Sequence, residues 1–331
     1  MVTAEKKVRA LGLCSGGLDS ILSALVLRDQ GIEVEWIAFE TPFFSADKAR
    51  RASQQCDVPL RVRDITQIYL EMLKSPPAGY GKYMNPCMDC HSLMFRLAGD
   101  EMNHSGFQFL FSGEVVGQRP MSQTKPSLRY VEKHSGYDGD IVRPLSGRLL
   151  PETTPEKNGW VDREGLLDIS GRGRKRQIAL ARQYGVHDYP APAGGCLLTD
   201  VGYSARLRDY MAHNENMTAR ALHLLKHGRH LRLSPTTKLI VGRNRHENDA
   251  IQKLLAPQVD VVFRTRNFPG PMCLIPDGGD PDTYPLSAAI CAGYGKAPSG
   301  KPVSVSVSTP AGGAVHTVVP VPTKENNDRL L

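Results

Sequence analysis

The sequence predicts an α/β fold, with a parallel-sheet domain followed by a smaller α+β domain. Short apolar runs alternate with helical patterns through the first half, as in "VRALGLC", "DSILSALVLRDQG" and "IEVEWIAFE". Such alternation is typical of βαβ units and a parallel sheet. A glycine-rich segment, "SGGLDS", separates the first predicted strand from the first helix, and the pattern changes near residue 230.

The first domain should contain about five strands. We expect them at residues 8–14, 32–40, 59–65, 108–114 and 140–145. Apolar residues at helical spacing predict the intervening helices. We expect those at residues 19–31, 45–56, 89–102 and 173–186.

The second half changes character after a loop-rich stretch. We expect a first domain over residues 1–202, a helical connector over 203–229, a compact α+β domain over 230–310 and a flexible tail over 311–331. "KPVSVSVST" shows the period of two that is typical of a strand. No internal repeat is evident.

Composition excludes several classes of protein. The chain is 40% hydrophobic and 23% charged, and no apolar run is long enough for a signal peptide or a membrane span. We therefore expect a cytoplasmic protein without membrane contact. A net charge of +7 favours a polyanionic partner. Seven cysteines are too few for a disulfide scaffold, so the C-x-x-C of "NPCMDCH" is expected to bind metal or to be catalytic.

The segment "SGGLDS" (residues 15–20) is placed to bind phosphate, because it ends a strand and opens a helix. Gly16 and Gly17 allow close approach of an anion to backbone N–H groups. Ser15 and Ser20 can donate hydroxyl hydrogen bonds, and Asp19 can hold Mg²⁺ or position pyrophosphate. The G-K-[ST] ending of a Walker A loop is missing.

This segment resembles the S-G-G-x-D-S loop of PP-loop ATP pyrophosphatases. "SGEVVGQRPMSQT" (112–124), "VRPLSG" and the "GGC" that ends at Cys196 resemble ThiI-type tRNA 4-thiouridine synthetases, so the resemblance covers roughly residues 8–200. It implies that ATP adenylates a uridine carbonyl oxygen before sulfur displaces AMP, with Asp19, Cys90 and Cys196 as catalytic residues. The expected ATP-binding residues are Ser15, Gly16, Gly17, Leu18, Ser20, Phe39, Thr41 and Gly113. We expect this chain to lack the family's THUMP and rhodanese domains.

The second half resembles the RNA-binding domain of NFACT proteins. The similar runs are "VGRNRHENDAI", "DVVFRTRNFPGPMCLI" and "AAICAGYGKA". This resemblance implies tRNA as the partner. Arginines would pair with phosphates and so supply affinity and register. The expected RNA-binding residues are Arg243, Arg245, Arg264 and Arg266. The basic run "GRGRKRQ" (171–177) is either a solvated helix start or another tRNA contact, and a homodimer is left open.

Three cysteines admit three interpretations. "NPCMDCH" resembles MnmA-type thiolases, and some thiolases with three such cysteines bind a [4Fe–4S] cluster; Cys87, Cys90 and Cys196 would then be its ligands. Zinc with His91 as fourth ligand, and a persulfide relay through Cys90 and Cys196, are the alternatives. The sulfur donor would be sulfide or a persulfide carrier. Competing functions are a non-catalytic RNA-binding protein and an adenylating sulfurtransferase for a small molecule.

Overall fold

The structure, a computed structural model, describes residues 7–191 and 195–331. The chain divides into two compact units, one ending at Thr199 and the other spanning Asp200–Leu331. Among the described residues, no helix combines the length and apolarity needed to cross a membrane.

The first unit is built on a parallel sheet with strand order β3-β2-β1-β4-β5. Its strands are β1 (Arg9–Leu13), β2 (Glu33–Glu40), β3 (Leu60–Asp64), β4 (Phe109–Ser112) and β5 (Ile141–Val142). Its helices are α1 (Leu18–Asp29), α2 (Asp47–Cys56), α3 (Thr66–Lys74), α4 (Cys87–Ser105), α5 (Lys125–Ser135), α6 (Thr154–Lys157) and α7 (Lys175–Gln183). The predicted five-stranded parallel sheet is confirmed, whereas α3 and α5 were not predicted.

The centre of this sheet is packed tightly around β1 and β4. Gly12 pairs with Phe111, and a Cβ at Gly12 would lie 2.2 Å from the Phe111 ring. Only glycine leaves room for that ring, which is fully buried with Leu11 and Trp36. Burial of each such large side chain stabilises the fold by about 1.5–3 kcal/mol.

The strand order places a crevice beside β1. The chain runs outward from β1 through β2 to β3, then returns to β4 on the other side of β1. In open parallel sheets, ligands bind at the carboxyl ends of the strands where the order reverses. The segments that follow β1 and β4, residues 14–17 and 113–124, meet at this point.

The second unit is an antiparallel sheet with strand order β11-β10-β8-β9-β7-β6. Its strands are β6 (Arg229–Ser234), β7 (Thr237–Val241), β8 (Val261–Thr265), β9 (Cys273–Ile275), β10 (Val303–Thr309) and β11 (Gly312–Val318). Its helices are α8 (Val201–His213), α9 (Ala219–Leu224), α10 (Arg245–Lys253) and α11 (Tyr284–Gly293). An antiparallel sheet with helices agrees with the predicted α+β class.

Two segments differ from expectation. The predicted connector is part of the second unit, where Asp209 on α8 binds Arg232 at 2.5 Å and Lys238 at 3.3 Å. The flexible tail predicted for 311–331 is wrong for Gly312–Val318, which pairs with β10 along its whole length. Most of that strand is exposed, so ladder hydrogen bonds hold it and no apolar alternation marks it in the sequence.

Candidate active site

The phosphate loop connects β1 to α1. Gly16 has φ +69°, a left-handed conformation that suits glycine, and a Cβ there would lie 2.1 Å from the carbonyl carbon of Lys48. Ser20 Oγ donates to the Gly17 carbonyl at 2.8 Å. Gly17 is the N-cap of α1, and no described side chain caps the first N–H groups of that helix. These N–H groups and the helix dipole favour an anion at the loop.

Gly113 brings the end of β4 against this loop. A Cβ at position 113 would lie 2.4 Å from the Asp19 carbonyl carbon and 2.4 Å from the Ser20 nitrogen. Because both neighbours are backbone atoms, a side chain at this position would force the loop and the strand apart. Gly113 therefore sets the close approach between the two segments, and its expected contact with ATP stays a prediction.

Two glutamines hold the carboxylate of Asp19. Gln118 Nε2 donates to Asp19 Oδ2, and Gln177 Nε2 donates to Gln118 Oε1 at 3.0 Å. Gln177 lies on α7 and is fully buried. This chain of amides joins the phosphate loop to the "GEVVGQ" segment and to the basic run, which are about 99 and 158 residues further along the sequence.

Polar atoms around Asp19 are left without partners. Among the described residues, Asp19 Oδ1, Gln177 Oε1 and Arg174 Nε are buried and form no hydrogen bond. Buried polar atoms are nearly always satisfied, so the two oxygens suit a cation and the Arg174 N–H suits an acceptor such as a phosphate oxygen. Burial raises the pKa of Asp19, opposed by the Gln118 hydrogen bond and by the charges of Arg174 and Arg119. A cation or a phosphate-bound cation would restore the balance.

The C-x-x-C segment opens α4. Cys87 is the first residue of the helix and Cys90 lies about one turn later, so both thiols are on the same side. Asn85 Nδ2 donates to Cys87 Sγ at 3.2 Å. The buried Tyr69 hydroxyl hydrogen-bonds the Cys90 thiol. Tyr69 also packs against the ring of Phe43, 5.6 Å away between centroids, in the loop after β2.

Cys196 is held near this helix by backbone hydrogen bonds of the residues that follow it. Leu197 N donates to the Phe43 carbonyl at 3.0 Å, and Met84 N donates to the Leu198 carbonyl at 3.3 Å. The second bond ties the segment to the residues just before α4. Gly194 of the "GGC" segment lies outside the described residues.

The three thiols affect one another electrostatically. Burial raises the pKa of Cys90, and the neighbouring Cys196 and Cys87 raise it further. Burial also raises the pKa of Cys196 to about 11, against the lowering effects of the Leu198 backbone and Arg119. Over residues 7–191 and 195–331, no three His, Cys, Asp or Glu side chains converge as a site for a single metal ion. The predicted cluster, zinc and persulfide alternatives stay predictions.

A buried ion-pair network fixes the cysteine helix to β4. His91 Nδ1 lies 2.7 Å from Glu114 Oε1, and Arg143 Nε donates to Glu114 Oε2 at 2.9 Å. Arg143 is buried and also pairs with Glu132. Burial alone would raise the pKa of Glu114, but the Arg143 charge and the His91 hydrogen bond hold it at about 2. Glu114 is consequently ionised, and His91 is committed to it through Nδ1.

The other predicted nucleotide-binding residues lie at the same edge of the sheet. Ser15 is exposed, and its Oγ accepts from Gly17 N at 3.4 Å, whereas Leu18 is buried in the core. Phe39 is buried near the end of β2. Thr41 follows that strand, and its Oγ1 accepts from Phe43 N at 3.1 Å. Their contacts with ATP stay predictions.

The four arginines predicted to bind RNA lie in different surroundings. Arg243 is paired with Glu247, its Nε 2.8 Å from Oε1. Arg245 is almost fully exposed and only 3.9 Å from Asp249. Arg266 is exposed at the end of β8. Arg264 donates to Gln252 Oε1 at 2.5 Å. RNA contact by any of them stays a prediction.

Sequence reasoning missed several residues of the site. Gln118 and Gln177 support Asp19, Tyr69 contacts Cys90, and Arg143 pairs with Glu114. Gln118 and Glu114 belong to the "GEVVGQ" segment, Arg143 to "VRPLSG" and Gln177 to the basic run "GRGRKRQ". None of these motifs indicates which side chains meet, because the partners are remote in sequence, and Tyr69 lies in no motif.

Two families match separate parts of the chain. Residues 5–149 match the family described as "Thiamine biosynthesis protein (ThiI)". Residues 228–329 match the family described as "NFACT protein RNA binding domain". The matched regions fall in the first and second units, respectively.

Relatives of known description match the first unit. The chain is 30% identical over 181 residues to a "Probable tRNA sulfurtransferase" of Caldanaerobacter subterraneus, covering 52% of this chain and 42% of that protein. It is 32% identical over 149 residues to a protein of the same description from Thermoanaerobacter sp., covering 42% of this chain and 37% of that protein. The chain therefore spans less than half of the length of these relatives.

A solved structure is also similar. It is described as a 4-thiouridine synthetase–RNA complex with bound ATP, with 21% identity, a TM-score of 0.35, and coverage of 54% of this chain and 52% of that chain. The chain thus combines a region that matches the ThiI family with a region that matches the NFACT RNA-binding family.

Proposed function

We propose that the protein is an ATP-dependent tRNA sulfurtransferase that converts a uridine to 4-thiouridine. The observation that carries this proposal is that two adjacent residues contact the two halves of the site, the phosphate loop and the cysteine helix. Gly113 contacts the phosphate loop at Asp19 and Ser20, and Glu114 binds His91 on the cysteine helix. Adenylation needs the first half-site and sulfur transfer needs the second. The ThiI-family match and the descriptions of the relatives support the same reaction.

The first step activates the uridine. The uridine carbonyl oxygen is a poor leaving group and must be activated before sulfur can replace it. The oxygen attacks the α-phosphorus of ATP, a P–O bond forms, and pyrophosphate leaves. The first N–H groups of α1, with the Ser15 and Ser20 hydroxyls, would bind phosphate oxygens. Arg119 and Arg174, whose charges act on Asp19, would offset the negative charge of pyrophosphate.

Mg²⁺ fits the site because Asp19 Oδ1 is buried without a partner among the described residues. Held by Asp19, the ion would neutralise charge on the departing pyrophosphate. Gln118 fixes the other carboxylate oxygen, and Gln177 fixes Gln118. The chain of amides therefore orients the free oxygen towards the ligand.

The second step replaces the adenylated oxygen by sulfur. A sulfur nucleophile attacks C4 of the uridine, the C–O bond breaks, and AMP leaves with the former carbonyl oxygen. With hydrosulfide as donor, the thiol proton is released to solvent and no electrons are exchanged. Cys87, Cys90 and Cys196 are the side chains proposed to present the sulfur.

A [4Fe–4S] cluster fits the donor chemistry, because three thiols lie within electrostatic reach of one another. Held by these cysteines, it would supply the binding site for the sulfur donor. Burial raises the pKa of Cys90, so the thiolate needed for sulfur chemistry would require stabilisation, which bound iron would supply. In the alternative relay, a persulfide on Cys196 or Cys90 donates sulfur and the two cysteines end as a disulfide.

The second unit is proposed to hold tRNA. Its match to the NFACT RNA-binding family supports this role, and so does the chain's net charge of +7. Exposed cations such as Arg245 and Arg266 would pair with backbone phosphates.

The test is reconstitution of the reaction. Protein reconstituted under anaerobic conditions would be incubated with unmodified tRNA, ATP, Mg²⁺ and sulfide, and nucleosides would be separated by mass spectrometry. We expect 4-thiouridine and an equal amount of AMP, both of which depend on ATP. If the product were 2-thiouridine, the proposed sulfurtransferase function would stand and only the modified position on the uridine would change. Failure to thiolate tRNA with either sulfide or a persulfide carrier would contradict the proposal.

A further inference from the structure

A small cavity in the second unit lies between α10 and the ends of β8 and β9. Its volume is about 250 Å³. It brings together the "ND" of "NRHENDAI" and the "GPM" of "FRTRNFPGPM", which are about twenty residues apart in sequence. The lining residues are Asn248, Asp249, Gln252, Arg264, Thr265, Gly270, Pro271 and Met272.

The walls of this cavity are held by backbone contacts. Asn248 Oδ1 accepts from Met272 N at 3.2 Å, which fixes the amide and leaves its Nδ2 as a donor. Thr265 Oγ1 donates to the Phe268 carbonyl at 2.6 Å. A Cβ at Gly270 would lie 2.7 Å from Thr265 Oγ1, so a side chain there would enter the cavity wall. A side chain at Gly270 would therefore displace Thr265, which lines the cavity.

Arg264 is oriented within the cavity. Its Nη2 donates to Gln252 Oε1 at 2.5 Å and lies 3.4 Å from Met272 Sδ. These contacts constrain one end of the guanidinium, and Gln252 neutralises none of its charge. The Asp249 carboxylate, which lies 3.9 Å from Arg245, and the apolar Met272 line the same cavity.

We propose that this cavity binds one unpaired guanine of single-stranded RNA. The inference rests on the proposed function only in that the partner is RNA. Guanine offers acceptors at O6 and N7 to Arg264, and donors at N1 and N2 to Asp249. Among the RNA bases, guanine presents two adjacent acceptors, O6 and N7, together with two adjacent donors, N1 and N2, whereas adenine and cytosine each present a single amino donor.

The size and position of the cavity suit a single base. Pockets for drug-sized ligands are about 300–1,000 Å³, so 250 Å³ is small enough for one nucleobase. Proteins that read RNA sequence bind unstacked bases in such pockets and hydrogen-bond to their edges. Both arginines are exposed, but only Arg264 lines the cavity, so we assign base recognition to Arg264 and phosphate contact to Arg266.

The experiment compares two charge-conserving substitutions in the full-length protein, Arg264→Lys and, as control, Arg208→Lys. The probes are oligouridine 12-mers that carry one central guanosine or one central adenosine. We expect wild type to prefer guanosine about 5- to 150-fold, the range for one bidentate base contact. Arg264→Lys should lose most of the preference, because lysine lacks the planar fork. Arg208→Lys, at an exposed position on α8, should keep it, and the salt dependence of binding should be the same in all three proteins.

A second variant tests the cavity without touching charge. Gly270→Ala should also lose the guanosine preference while its salt dependence stays that of wild type, and thermal unfolding would establish that it is folded. Absence of a guanosine preference in wild type, or its survival in Arg264→Lys, would overturn the proposal. These assays measure binding, so a guanosine preference without tRNA thiolation would contradict only the proposed function.

Discussion

His91 Nδ1 lies 2.7 Å from the Oε1 atom of Glu114, and this pair joins the second turn of the cysteine helix to the segment that follows β4. The residue before Glu114 is Gly113, which packs on the backbone of the phosphate loop. Adjacent residues therefore connect the two half-sites of the proposed reaction. A displacement of β4 would move both, so Glu114 is the residue on which their relative position depends.

Replacing Glu114 with glutamine should reduce stability at neutral pH. The pKa of Glu114 is lowered from an ordinary value of 4.5 to about 2, which corresponds to on the order of 3 kcal/mol. Because the folded-state pKa is below the unfolded one, this contribution is present above about pH 4.5 and is lost as the pH falls towards about 2. Urea unfolding of wild type and Glu114→Gln from pH 7 to pH 2.5 would measure it.

The difference in unfolding free energy between the two proteins should be largest at pH 7 and should shrink below pH 4.5. Glu71→Gln is the control, because that side chain is exposed on α3. If the difference in unfolding free energy between the two proteins did not change with pH, the pKa of Glu114 would not be lowered by its partners.

Asp19→Asn should eliminate adenylation while stabilising the fold. Burial raises the pKa of Asp19 in the folded protein above its value in the unfolded chain. The free energy of unfolding therefore falls as the pH rises from the unfolded-state pKa through the folded-state pKa. Asparagine carries no charge and can keep the Gln118 hydrogen bond. We expect tRNA-dependent pyrophosphate release to fall at least about 100-fold, as on loss of a group that stabilises transition-state charge.

The melting temperature of Asp19→Asn should equal or exceed that of wild type. Glu164→Gln, an exposed substitution in the same unit, should change neither quantity. Full activity in folded Asp19→Asn would remove Asp19 from the reaction.

Two glycine substitutions separate backbone strain from packing in the phosphate loop. Gly16 and Gly31 both have positive φ, +69° and +77°. A Cβ at Gly16 would lie 2.1 Å from the Lys48 carbonyl carbon, whereas no described atom lies within 4 Å of one at Gly31. Gly31→Ala should cost about 1–2 kcal/mol from strain alone and leave ATP binding unchanged.

Gly16→Ala should cost more than this and weaken ATP binding, because the loop or α2 must move. Chemical unfolding and calorimetric titration with ATP would measure the two effects. Equal behaviour of the two variants would show that the loop tolerates displacement.

If Cys87, Cys90 and Cys196 bind one cluster, substitution of any one of them should remove it. Anaerobically reconstituted wild type should contain about four irons and four sulfides per chain, and alanine at Cys87, Cys90 or Cys196 should remove them. Cys56→Ala is the control, because that thiol is half-buried at the end of α2. A relay predicts activity in iron-free protein and in Cys87→Ala, and zinc predicts about one metal without visible absorption.

Much of the fold could be predicted from the sequence because local pattern determines it. Alternating apolar runs marked all five parallel strands, and "SGGLDS" marked the loop between β1 and α1. The strand over Gly312–Val318 could not be predicted, because it is mostly exposed and depends on its ladder with β10.

The roles of Gln177 and Arg143, which support the site, could not be predicted for a similar reason. Gln177 lies in the basic run "GRGRKRQ" and Arg143 in "VRPLSG", but neither motif reveals the partner of its residue. Gln118 connects Gln177 to Asp19, and Glu114 connects Arg143 to His91. Such contacts arise from the strand order, which brings the ends of β1 and β4 together.

The central claim is that ATP activates a tRNA uridine for sulfur transfer at this site. Its most direct test uses tRNA labelled with ¹⁸O at the uridine C4 carbonyl, incubated with protein, ATP, Mg²⁺ and sulfide. We predict that ¹⁸O appears in AMP in proportion to the 4-thiouridine formed, because the carbonyl oxygen leaves on the α-phosphorus. Formation of 4-thiouridine with unlabelled AMP would contradict the account.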